Sequence, residues 1–211
     1  MLEEEQPLRL LTSVFILVTL LLVAGMAPAS AGALLYDNGP LNGEIDAYTI
    51  NFGYSVTDSF TLTAPGIVGV AEFGVWAESV TDHMQSVDWA ITSDPFGGTV
   101  YGFGTASTGQ SFYLGTNNYG YTLFYEYMTL PGVSLGAGTY WLQLQNAVVD
   151  SGNPIFWDEN DGPSAAFGSA LGSIGSETFQ LYSGVPEPAS FGLIGMGLLG
   201  LAAVLRRRIV R

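Results

Sequence analysis

The sequence predicts an all-β protein: an antiparallel β-sandwich of jelly-roll type, set between an N-terminal signal helix and a C-terminal transmembrane helix. Three observations predict it. Short runs alternate apolar and polar residues with period two, the mark of half-buried antiparallel strands. Clusters of Gly, Pro, Asp and Asn punctuate those runs at turn-like intervals. No amphipathic helical pattern interrupts them.

The elements follow in chain order. Leu10 to Gly25 is an apolar run of signal-peptide length, and Ala27 to Ala33 supplies the small residues that a signal peptidase accepts. Cleavage after Ala31 or Ala33 fits, so residues 1–33 read as a signal peptide. Its n-region is acidic where a basic one is expected: Glu3, Glu4 and Glu5 precede Arg9. Initiation at Leu8 through an alternative start codon gives Met-Arg-Leu-Leu-Thr, an ordinary n-region. Residues 34–184 then read as one β-sandwich domain. Val87, Trp89 and Ile91 alternate with Asp88, Ala90 and Thr92; Tyr140, Leu142 and Leu144 alternate with Trp141, Gln143 and Gln145. Tyr121, Leu123, Tyr125 and Tyr127 share one face. Further strands are expected over 47–54, 58–63, 67–77, 99–104, 155–157 and 177–182, eight or nine in all. Turns are expected at Asp37–Pro40, Pro65-Gly66, Asp94–Gly98, Gly136–Gly138 and Asp161–Pro163.

The charge is unevenly placed. The chain has 5 basic and 19 acidic residues and no cysteine. All the basic ones lie near the ends (Arg9, Arg206, Arg207, Arg208 and Arg211), and none falls between Leu34 and Gly184. Such a body repels nucleic acid, because phosphate binding needs lysine and arginine. Without cysteine there is neither a disulfide framework nor thiol chemistry.

Candidate chemistry is sparse, and a non-enzymatic protein is expected. Gly132-Val133-Ser134-Leu135-Gly136 fits G-x-S-x-G, but that motif needs a helix after it, and here a glycine turn and a strand follow. His83, the single histidine, reads as an exposed loop residue. The acids are numerous enough that some carboxylate pair is inevitable, so a glycoside-hydrolase reading is non-specific. No cofactor is expected; a structural calcium ion is the one candidate, with a solvated turn the plainer reading of its site. Its candidate site is Asp158, Glu159, Asn160 and Asp161, a tight run of hard oxygen ligands, although Ser169 stands where an EF-hand places its closing glutamate. Trp76, Trp89, Trp141 and Trp157 are candidates for sugar stacking, with core packing the plainer reading.

The last segment is the most specific. Val185-Pro186-Glu187-Pro188 is followed by a transmembrane helix over 188–205, whose residues Ala189 to Leu205 carry no charge, and then by Arg206-Arg207-Arg208. About 25 Å of helix spans a thin bilayer, and the arginines stop transfer and hold that end in the cytoplasm. Pro186 and Pro188 keep their surroundings extended. This three-part tail over 185–211 resembles the PEP-CTERM sorting signal of Gram-negative bacteria, which also goes under the heading of an ice-binding protein C-terminal domain. Signal peptidase is the processing partner expected at the N-terminus, and the resemblance implies exosortase at the tail, a membrane-anchored precursor, and a final place at the cell surface or in an exopolysaccharide or biofilm matrix. The body is similar to the sandwich domains carried ahead of that tail, in Leu35–Gly39, Val87–Ile91, Leu135–Leu142 and Phe156–Asp158. A structural or adhesive role is expected, with a carbohydrate-binding module and a secreted hydrolase as the alternatives.

Overall fold

β-branched and aromatic residues at alternate positions favour a pleated, half-buried chain, and strands dominate the computed structural model, which describes residues 32–184. Residues 1–31, which hold most of the expected signal peptide, and residues 185–211, with the expected transmembrane helix, lie outside the described residues. The strands are β1 (Leu34–Asp37), β2 (Ala47–Thr49), β3 (Ser55–Leu62), β4 (Gly66–Ala77), β5 (Met84–Asp94), β6 (Gly97–Thr116) and β7 (Thr122–Leu135). They continue with β8 (Gly138–Val149), β9 (Ile155–Asn160), β10 (Ala166–Gly168), β11 (Gly172–Ile174), β12 (Ser176–Glu177) and β13 (Phe179–Ser183). Among the described residues there is no helix, and so none that is long and apolar enough to cross a membrane.

Every pairing is antiparallel. One layer has the order β11-β10-β3-β8-β5-β6, and the other β1-β13-β4-β7-β6. β6 belongs to both. Its first half pairs β5 as far as Ser86 opposite Ser107, and its second half pairs β7 from Thr108 opposite Met128. The two layers are therefore the two ends of one curled sheet. The far end of β4 takes β9 beside it, Val75 opposite Trp157, and β9 in turn pairs β2 and β12.

The period-two pattern puts one face of each layer into a common core. Val56 and Phe60 of β3, Trp89 and Ile91 of β5 and Leu142 and Leu144 of β8 meet Phe73, Val75, Phe124, Met128, Trp157 and Phe179 from the opposing layer. Phe60 and Phe179 touch edge to face across the layers at 6.4 Å. Each large apolar side chain fully buried there contributes roughly 1.5–3 kcal/mol. Leu41, Trp76 and Leu123 form a second cluster, so the aromatic face expected of residues 121–127 packs away from the main core.

The structure differs from the sequence expectations in strand number and limits. Among the described residues there are thirteen strands. The run 47–54 is broken by a turn at Phe52 and Gly53, both with positive φ. The run 177–182 divides into β12 and β13. The expected strand 99–104 is only part of the twenty residues of β6, and β10 and β11 were not expected.

Candidate functional site

Acids occupy inward positions at one side of the curled sheet. On β3, Val56, Asp58 and Phe60 have the same parity, so Asp58 enters the interior in phase with two core residues and is 0% exposed. On β12, Glu177 pairs with Glu159 of β9 and is also 0% exposed. The two strands are tied through Asp58, whose Oδ2 accepts the Glu177 backbone N–H at 2.6 Å.

A polar knot surrounds this tie. Asn38, buried just past β1, places its Nδ2 2.7 Å from each of Ser164 Oγ and Ser176 Oγ, 2.6 Å from the Glu177 carbonyl and 3.2 Å from Asp58 Oδ2. An amide nitrogen carries only two hydrogens, so those oxygens compete for it. The Ser164 hydroxyl donates to Asp58 Oδ2 at 2.8 Å and stands 2.6 Å from that of Ser176. Yet Asp58 Oδ1 and both carboxylate oxygens of Glu177 are buried with no hydrogen-bond partner.

The electrostatics follow from burial without a counter-charge. Desolvation raises the Asp58 carboxyl to about 6, against the lowering effect of its hydrogen bonds. Glu177 is pushed well above the usual carboxylate range, first by burial and then by Asp58, Glu159, Asp158 and Asp46 around it. Tyr48 donates its hydroxyl to Glu159 Oε2 at 2.7 Å and also lines a cleft of about 360 Å³ with Asp46, Tyr54 and Leu171.

The calcium candidates occupy different surroundings. Asp158, Glu159 and Asn160 belong to β9 rather than to a loop, and alternation sends Glu159 to the face opposite Asp158 and Asn160. Asp158 Oδ1 accepts from Trp76 Nε1 and Gly43 N, and Oδ2 from Thr178 Oγ1 and Asn42 N. Asn160 holds the Asn38 carbonyl and the Gly162 N–H. Asp161 is exposed. The four do not converge on one point, and among the described residues no three acidic or histidine side chains form a ready metal-binding group.

The remaining candidates separate clearly. Trp76, Trp89 and Trp157 are core residues, while Trp141 is half-buried and packs on Phe167 at 5.6 Å. Ser134 is an exposed residue of β7, which turns directly into β8, so no strand-to-helix elbow exists there. His83 is exposed, ahead of β5. Asp58 and Glu177 escaped the sequence reading. An acid in phase with apolar neighbours was the available signal for Asp58, and the short β12 offered no comparable pattern.

Val185 to Pro188 and Arg206 to Arg208 lie outside the described residues, which end at Gly184. No curated protein matches the chain. Residues 184–208 match the family model of the PEP-CTERM protein-sorting motif, which implies export, a membrane-anchored precursor and exosortase as processing partner in Gram-negative bacteria. The chain thus carries a PEP-CTERM sorting motif immediately behind its last body strand.

Proposed function

We propose that this protein is a non-enzymatic structural or adhesive component of an exopolysaccharide layer, released from its membrane tail by exosortase. The observation that carries the reading is the sorting-motif match, which begins one residue past β13. A stiff Pro186-Glu187-Pro188 element outside the bilayer offers a protease an extended chain, and Glu187 costs little there because it stays in water. The uniformly acidic body supports solubility outside the cell and disfavours anionic partners. The test replaces Pro186, Glu187 and Pro188 with alanine in a host that carries exosortase. Insertion depends on the apolar helix and the arginines, so it survives. Processing is lost, and a longer membrane-bound form accumulates by intact-mass analysis. Equal retention of Arg211 in wild type and variant would leave the tail a plain anchor and end this reading.

Carbohydrate binding is the second reading, favoured by the outer face of the first layer. Phe103, 77% exposed, lies opposite Ala90, which lies opposite Gln143; Trp141 and Phe167 flank the far side. Gln143 and Gln145 are held to each other at 2.9 Å. Stacking rings beside fixed amides suit sugar rings. Retention of wild type on a glycan array, lost in Trp141→Ala and Phe103→Ala, separates this reading from a purely structural role.

A further inference from the structure

We propose that Asp58 and Glu177 hold a calcium ion between the two layers of the body. Both residues are fully buried, and three of their four carboxylate oxygens have no partner. A buried polar atom left unpaired costs about 1–3 kcal/mol, and more when charged. Acidity alone does not make the site; the unmet acceptor oxygens do, because they face a requirement that no side chain of the body fills. Between Leu34 and Gly184 there is no lysine or arginine, and His83 lies on an exposed turn. Glu159, opposite Glu177 in the ladder, adds to the negative field.

The ligand chemistry selects the ion. The surrounding oxygens are those of carboxylates and hydroxyls, with no sulfur or imidazole, which favours a hard cation. Calcium accepts neutral oxygens, water included, alongside carboxylates in flexible geometry, so two acids suffice as its charged ligands, and the Ser164 hydroxyl stands beside Asp58. Magnesium demands a stricter octahedron and keeps its waters. The stretch 158–161 competes poorly: each Asp158 oxygen already accepts two hydrogen bonds. This inference does not depend on the sorting reading.

The test uses the full-length chain purified in detergent and stripped of divalent ions. Calcium binding is measured by equilibrium dialysis, and thermal melts are run in calcium and in magnesium at equal ionic strength. One calcium per chain is expected, with a rise in Tm that magnesium does not reproduce. Glu177→Gln and Asp58→Asn each weaken calcium affinity by at least about tenfold, whereas Asp161→Asn leaves it unchanged. Should either core variant fail to fold, the other and the wild-type stoichiometry still decide. No bound calcium, an equal effect of magnesium, or full affinity in a folded Glu177→Gln overturns the proposal. Stabilisation by falling pH alone, without a calcium effect, assigns neutralisation to protons and overturns it equally.

Discussion

A single side chain shows how sparingly this body tolerates charge in its core. Glu126 lies on β7 between Phe124 and Met128, with the parity of both, and is 1% exposed. Neither carboxylate oxygen has a hydrogen-bond partner, and desolvation raises the carboxyl from 4.5 to about 8. Because the folded pKa exceeds the unfolded one, the folded state binds the extra proton. The contribution of Glu126 to stability is therefore fully present below about pH 4.5 and is lost as pH rises through about 8. Glu126→Gln is neutral throughout and removes that slope. Urea melts should show the variant gaining on wild type by on the order of a few kcal/mol between pH 4.5 and 8.5. Parallel stability curves for the two proteins would show that Glu126 does not titrate in this interval.

At the scale of elements, the connection from β1 to β2 is fixed by close approach rather than by its own secondary structure. Leu41 packs on Trp76 and Leu123 in the second cluster, Gly43 lies against Leu123, and Gly43 N donates to Asp158 Oδ1 at 2.9 Å. Gly43 has φ +65°, and a Cβ there would stand 2.3 Å from Leu123 Cδ1. Gly43→Ala should therefore cost roughly 2–4 kcal/mol, backbone strain and overpacking together. Gly53 provides the control: its φ is +84°, but nothing lies within 4 Å, so Gly53→Ala should cost only about 1 kcal/mol. Equal urea midpoints for the two variants would remove Leu123 as the cause. The same contrast explains what was legible in advance. β5 and β8 carry strict alternation, and their inner residues Trp89, Ile91, Leu142 and Leu144 can be read directly. β6 cannot: Gly102 and Gly104 leave its inner face blank because the Trp89 ring fills that space from the neighbouring strand. β10 and β11, three residues each, are too short to show a period. Asp58 broke an otherwise apolar parity, and such a break reads as noise until the opposing Glu177 is placed by the fold.

For the molecule as a whole, the pairing of β1 with β13 brings the first and last residues of the body to one edge of the sheet. Ser183 N donates to the Ala33 carbonyl at 2.8 Å, and Ala33 N donates to Ser183 Oγ at 2.7 Å. Ala33 and Ser183 thus lie side by side, and the contacts between them distinguish the two cleavage points that the small-residue run allows. Cleavage after Ala31 leaves Gly32 at the start and keeps both hydrogen bonds. Cleavage after Ala33 removes both and leaves the Ser183 groups to water. Each exposed hydrogen bond contributes about 0.5–1.5 kcal/mol, so a mature chain starting at Gly32 should melt a few degrees above one starting at Leu34. Ala29-Ser30-Ala31 has its alanines at the spacing that signal peptidase prefers, so cleavage after Ala31 is the expected outcome. Intact-mass analysis of the exported protein should therefore find Gly32 as the first residue. A start at Leu34, with a melting temperature equal to that of a Gly32 form prepared in parallel, would show that the Ala33–Ser183 contacts neither survive processing nor hold this edge.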